Sequence, residues 1–315
     1  MAQRVVARGW PRVLLGLIGL GLISLNLGGY SGASTNAKSS DGWAVASSYH
    51  GVTYALVKKI TVAGVSFTAV EFPKNTVGWA YHAVAGDPPG ARYTPGSWGA
   101  INNFELRLGV VGAFNGGFKQ AAGAGGVSID GRVIATMRPV GAEATIARSG
   151  GLGISLGAVG PEGTIAQVQN LPALVVDGAP SALARGAWYN WGGVIDNRPG
   201  EPRSAIGVDK SGDVIYVGTA SLSMPVELAI AMVRAGAWRA MALDMNPAWV
   251  SLGIAGAPLH RRTAFSVGLA GQWHNPNSDL FSPTRSFFVA VAKPVRGSIC
   301  YGSAGVIRET TTACK

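Results

Sequence analysis

Apolar and polar positions alternate in short runs along most of this chain, and glycine or proline separates the runs. Over residues 64–72 the alternation places Val65, Phe67, Ala69 and Glu71 on one face, which predicts a half-buried strand. Residues 43–57 and 59–72 both read as strands. The continuous apolar run 110–114 reads as a buried strand that delivers Asn115 at its end. Two hairpins are expected, one over 127–134 about Asp130-Gly131 and one over 206–217 with its turn at 209–212. A short apolar strand over 174–176 ends in Asp177-Gly178, and another over 240–243 ends at Asp244. Asp87-Pro88-Pro89-Gly90 marks a loop.

Helical spacing occurs twice. In 97–108 it joins Ile101, Phe104, Glu105 and Leu108, with Ser97 as cap and Gly109 as stop. In 224–235 it joins Val226, Ala229, Ile230 and Val233, with Ser223 as cap, Pro225 and Glu227 in the first turn and Gly236 as stop. No repeat of 20–50 residues is evident. The pattern predicts a mixed α/β (α+β) single domain: a mostly antiparallel sheet with a few packed helices.

Composition adds to this picture. Hydrophobic residues make up 48% of the chain and charged residues 13%, so a large core is available, and 46 glycines favour turns and strands over long helices. The net charge of +10 points to an anionic partner. No Lys/Arg run with interleaved aromatics is present, which sets anionic glycans and phosphodiesters above nucleic acid.

The first 37 residues read as an export signal. Arg4, Arg8 and Arg12 precede an uncharged stretch, and small residues follow at Ser31, Ala33, Thr35 and Ala37. The segment is either cleaved or kept as a membrane anchor through residues 13–29; both readings place the protein outside the cytoplasm. The expected division is therefore residues 1–37 as signal or anchor, 38–296 as the functional domain and 297–315 as a tail. In an exported chain the tail's Cys300 and Cys314 are expected to form a disulfide.

Three constellations carry candidate chemistry. Asn115-Gly116-Gly117 ends a buried strand, and its glycines let a ligand approach the backbone. Arg203 offers a planar fork for a phosphate or carboxylate. Asp244 at a strand end suits an acid, a base or a metal ligand. Each also has a structural reading, as a turn, a solvated arginine and a turn cap. The Gly153-Ile154-Ser155-Leu156-Gly157 match to a hydrolase elbow fails because Gly160-Pro161 follows where a helix must start. His50, His82, His260 and His274 show no metal-binding spacing. The aromatic segment 187–193 suits either sugar stacking or a core.

Taken in order, Phe114-Asn115-Gly116-Gly117-Phe118, the Leu171-Pro172 to Asp177-Gly178 stretch, Arg203-Ser204-Ala205-Ile206-Gly207, the helix with Pro225 and Glu227, and Ala242-Leu243-Asp244 resemble the phosphodiester glycosidase family. The resemblance covers roughly residues 105–290. It implies an exported glycosidase that cleaves a sugar-1-phosphodiester in cell-surface or secreted glycans. Asp244 would be catalytic with Asp177 as its partner carboxylate, Arg203 would hold the phosphate, and Asn115, Gly116 and Gly117 would orient the substrate.

The chain departs from the family where L-D-G-G-G-S is expected, because Met245-Asn246-Pro247-Ala248-Trp249 follows Asp244. Asn246 and Trp249 then become candidate substrate contacts. The departure also opens a second reading, a non-catalytic binder of anionic cell-surface glycans. A divalent cation is left open, with Asp177, Asp196 and Asp244 as its oxygen donors.

Overall fold

The computed structural model describes residues 41–83, 99–118, 123, 125–129, 131–138, 141–156, 163–192, 198–294, 298–302 and 305–310. In chain order these form β1 (Ala44–Tyr49), β2 (Val52–Val62), β3 (Val65–Phe72), β4 (Val77–His82), α1 (Asn103–Leu108), β5 (Val110–Asn115), β6 (Val127–Ile129) and β7 (Arg132–Ala135). There follow β8 (Ala142–Ala147), β9 (Leu152–Leu156), β10 (Thr164–Gln169), β11 (Ala173–Val176), β12 (Ala179–Pro180), β13 (Glu201–Val208) and β14 (Val214–Ser223). The chain continues with α2 (Pro225–Arg234), β15 (Arg239–Ala242), β16 (Leu252–Leu259), β17 (Val267–Gly268), α3 (Ser278–Phe281), β18 (Phe287–Ala292), β19 (Ser298–Gly302) and β20 (Gly305–Thr310).

The strands build one eight-stranded sheet in the order β1-β2-β3-β14-β13-β15-β11-β12 and two five-stranded sheets, β7-β6-β10-β8-β9 and β17-β16-β5-β18-β4, beside the β19–β20 hairpin. The expected class is what the described residues form: antiparallel sheets dominate, with three short helices.

Strand alternation divides the large sheet between two apolar clusters. Val70, Phe72, Ile206, Tyr216 and Met241 face one way, into a core shared with Phe114, Leu252 and Phe288 of the β5 sheet. Phe67, Ala69, Ala205, Val217, Ala240 and Ala242 face the other way, against Leu228, Ala229 and Met232 of α2. On β13, Arg203 therefore shares the α2 side with Ala205, and Ser204 shares the inter-sheet side with Ile206.

Three local expectations change. The run 43–57 is two strands, because His50 and Gly51 turn the chain with φ of 48° and 77°. The first helix begins at Asn103, where Asn102 accepts from the backbone of Phe104 and Glu105 and Glu105 reaches back to the Asn102 N–H; Ser97 lies outside the described residues. In α2 the first helical residue is Pro225, and Glu227 accepts from the Met224 N–H at 2.8 Å. Ser223 instead donates to the Glu201 carbonyl at 3.1 Å. The buried residues of α2 are Pro225, Leu228, Ala229, Ala231 and Met232, so of the expected face Val226, Ala229, Ile230 and Val233 only Ala229 is fully buried.

Candidate functional site

Asn115 closes β5 with 5% of its surface exposed, at the junction between the large sheet and the β5 sheet. Its Oδ1 accepts from Ser204 Oγ and from the Ser251 N–H, both at 3.1 Å. Its Nδ2 donates to the Asp244 carbonyl at 3.1 Å and the Gly116 carbonyl at 3.3 Å. The amide thus ties β5, β13, the end of β15 and the start of β16 together.

Gly116 lies flat against β18. Its N–H donates to Ser286 O at 2.8 Å, its carbonyl accepts from the Asp244 N–H at 2.9 Å, and an added Cβ would meet Ser286 O at 2.8 Å. Gly117 is buried, and next to it the Phe118 N–H reaches Asn170 Oδ1 at 3.4 Å. Asn170 Nδ2 donates to the Ala242 carbonyl. Asn115-Gly116, Ser204, Asn170 and Asp244 therefore meet at one junction.

The Asp244 side chain is 8% exposed; its Oδ1 accepts from the Met245 N–H at 2.9 Å and its Oδ2 forms an ion pair with Arg285 Nη2. Sequence reasoning missed Arg285. Its guanidinium carbon lies 4.4 Å from the centre of the Trp249 ring, so Trp249 is half-buried with a cation over one face.

Arg203 stands on the other face of β13. It is 3% exposed, and its Nε donates to Ser223 O at 3.0 Å and its Nη1 to Trp191 O at 3.3 Å, while Nη2 lies 3.5 Å from Pro199 O. Burial pulls its guanidinium down to about 10, against the opposing pull of Glu201. The fork holds the chain around Trp191 and Pro199 in place.

Asn246 has φ of 79°, the left-handed backbone that a glycine adopts freely. Its N–H donates to Pro202 O at 3.1 Å, and its buried Oδ1 has no hydrogen-bond partner. Met245 is fully buried in the α2-side cluster, and an added Cβ on Gly192 would come within 3.0 Å of Met245 Cε.

Asp177 lies elsewhere. It is exposed, with φ of 48°, in the two-residue turn between β11 and β12. Asp196 and Cys314 lie outside the described residues, as do residues 1–40, and the side chain of Cys300 is likewise not described. Among the described residues no three His, Cys, Asp or Glu side chains gather as a metal site, and no helix is long and apolar enough to cross a membrane. Ser155 of the rejected elbow, on β9, donates to Glu143 Oε1 at 2.8 Å, and the next described element is the strand β10.

An open cleft of 350 Å³ is lined by Ala248, Trp273, His274, Asn275, Ser278 and Thr284, and the charge of Arg285 reaches its His274. Ala248 precedes Trp249 and Thr284 precedes Arg285 in the chain. Burial pushes His274 below its ordinary value; a hydrogen bond to the Ala248 backbone opposes this, and the charge of Arg285 adds to it.

Residues 108–244 match the phosphodiester glycosidase family. The resemblance read from the motifs is shown for this span, and it supports a glycosidase-type function. No curated protein matches the sequence. Among solved structures, the catalytic domain of zebrafish N-acetylglucosamine-1-phosphodiester alpha-N-acetylglucosaminidase, auto-inhibited by pro-peptide, aligns at 14% identity and a TM-score of 0.47, covering 80% of this chain and 88% of that one. A hypothetical protein from Synechocystis aligns at 13% identity and 0.42, covering 76% of this chain and 62% of that one. The family match ends at Asp244, so Arg285 and the cleft residues lie beyond it.

Proposed function

We propose that this chain is an extracytoplasmic hydrolase that cleaves the bond between a sugar's anomeric carbon and phosphate in a sugar-1-phosphodiester. The observation that carries the proposal is the Asp244–Arg285 ion pair, set where the family's motifs meet and beside an open cleft.

The chemistry follows from what each group can do. The C1–O bond breaks, the phosphoryl group leaves as a monoester, and the oxygen of water bonds to C1. Positive charge develops at C1 in the transition state, and the ionised Asp244 opposes it. Negative charge grows on the departing phosphate, and Arg285 supplies a fixed cation there. Asn115 and Gly116 act through Asp244: they hold its backbone carbonyl and N–H, and so fix where the carboxylate points. Arg203 is a positioning residue on the opposite face of β13, and we assign the phosphate contact to Arg285 instead. Asp177, exposed at the β11–β12 turn, has no place in this scheme.

One observation favours the second reading, a binder of anionic glycans. Met245 fills space next to Asp244 where a glycine would leave the backbone open.

Kinetics on a panel of sugar-1-phosphodiesters separate the two readings. Asp244→Asn and Arg285→Lys are each expected to lower kcat by about a hundred- to a thousandfold while the folded protein persists by circular dichroism. Wild-type rates in Asp244→Asn would remove the carboxylate from the mechanism. Binding without product in the wild-type protein would establish the binder.

A further inference from the structure

The cleft beside Arg285 has an uneven chemistry. Its described lining holds no Asp, Glu, Lys or Arg, yet it offers an aromatic ring, an imidazole and two hydroxyls. Trp273 is 79% exposed, so a face of its ring is open to a ligand in the cleft. Ser278 Oγ lies 3.0 Å from His274 Nε2. The imidazole is neutral near pH 7, since burial and Arg285 both disfavour its charge. The hydroxyl and the imidazole thus share one hydrogen bond at the wall of the cleft.

We propose that this cleft binds the sugar ring of the substrate as an uncharged pyranose, with Trp273 stacking against its face and Ser278 and Thr284 meeting its hydroxyls. The phosphoryl group attached to that ring would then lie at Arg285, which follows Thr284 in the chain. Only the last statement rests on the hydrolase reading; the sugar-binding assignment stands on the cleft itself. The described lining itself offers a uronic acid's carboxylate no cation to pair with. An aromatic face beside fixed hydroxyls matches the alternation of C–H and O–H surfaces on a pyranose.

The test uses saturation-transfer NMR on the wild-type, Trp273→Ala, Ser278→Ala and Asp244→Asn proteins. The probes are methyl hexopyranosides, a methyl glucuronide and a hexose-1-phosphodiester. Because Trp273 is mostly exposed, its replacement is expected to leave the fold intact, and a thermal melt checks this. Expected is saturation of the ring protons of a neutral hexoside in wild type and in Asp244→Asn, with binding weakened about tenfold in Trp273→Ala. The Ser278→Ala protein should lose discrimination among hydroxyl epimers. In turnover, Trp273→Ala should raise KM about tenfold with a much smaller change in kcat.

Undiminished sugar binding by Trp273→Ala, or saturation of the glucuronide alone, would overturn the assignment. The failures are distinguishable. Trp273-dependent sugar binding without any hydrolysis by wild type keeps the cleft and removes the enzyme. Hydrolysis with an unchanged KM in Trp273→Ala keeps the enzyme and removes the cleft.

Discussion

Asn115 uses both ends of one amide to hold groups from four parts of the chain, and it does so out of reach of most solvent. Removing it strands the Ser251 N–H in the interior and leaves the Asp244 carbonyl with only the Ser204 hydroxyl as donor. Asn115→Ala is therefore expected to cost about 2–4 kcal/mol in urea unfolding, well above a surface substitution. Asn246 carries a different burden: a left-handed backbone and an unpartnered Oδ1. Asn246→Gly removes both, so its thermal midpoint should equal or exceed the wild type, by up to about 1 kcal/mol at the melting temperature. A clear loss of stability would show that the Asn246 side chain is needed for packing.

Asn115 and Asp244 were legible because each is a polar residue at the end of an apolar run. Arg285 obeys the same rule in reverse, standing two residues before the buried β18, whose Phe287 pairs with Asn115. The signal was present, but no glycine or acid beside it drew notice. Arg203 read as a phosphate fork because sequence cannot tell which face of β13 it occupies, or that backbone carbonyls take its donors.

Among the elements, the junction of β4, α1 and α3 gathers a second set of buried charged groups, His82, Glu105 and Asp279. His82, stacked on Phe287, bonds Glu105 Oε1 at 2.8 Å through Nε2 and Gly99 O at 3.2 Å through Nδ1. Asp279 of α3 is buried with an unpartnered Oδ2, and burial drives it up to about 7 although His82 pulls it down. Burial alone would lower His82, but the charge and hydrogen bond of Glu105, with smaller help from Gly99 and Asp279, raise it.

Both folded-state values exceed the ordinary ones, 3.8 for the aspartate and 6.5 for the histidine, so the folded protein holds more protons than the unfolded chain across this range. The stability due to Asp279 falls between about pH 4 and 7, and that due to His82 is lost as pH rises through its raised value. The melting temperature should therefore drop from pH 5 to pH 8, and Asp279→Asn should flatten the slope. An unchanged slope in that variant would take Asp279 out of the linkage. None of this grouping was legible in the sequence, since residues 82, 105 and 279 meet only through the fold. The β14–α2–β15 succession was legible because its turns and its helix are local, whereas the helix's buried face depends on which row of side chains the sheet accepts.

At the scale of the molecule, the alternating runs correctly announced antiparallel sheets but not their number, because sheet membership is decided by long-range pairing. Strand β5 sits between β16 and β18, which arise far later in the chain. That pairing brings Asn115 and Asp244 together, and it places Arg285 and the Trp273 cleft beside them. The fold therefore joins a segment that matches the phosphodiester glycosidase family to residues beyond the match, and the proposed specificity lies in the latter.

The central claim is that the bond broken is the one at the anomeric carbon, and hydrolysis of a hexose-1-phosphodiester in ¹⁸O-labelled water tests it most directly. The account predicts that the released phosphate monoester carries no ¹⁸O, with release slowed about a hundred- to a thousandfold in Asp244→Asn. Label in the phosphate would mean attack at phosphorus and would contradict it.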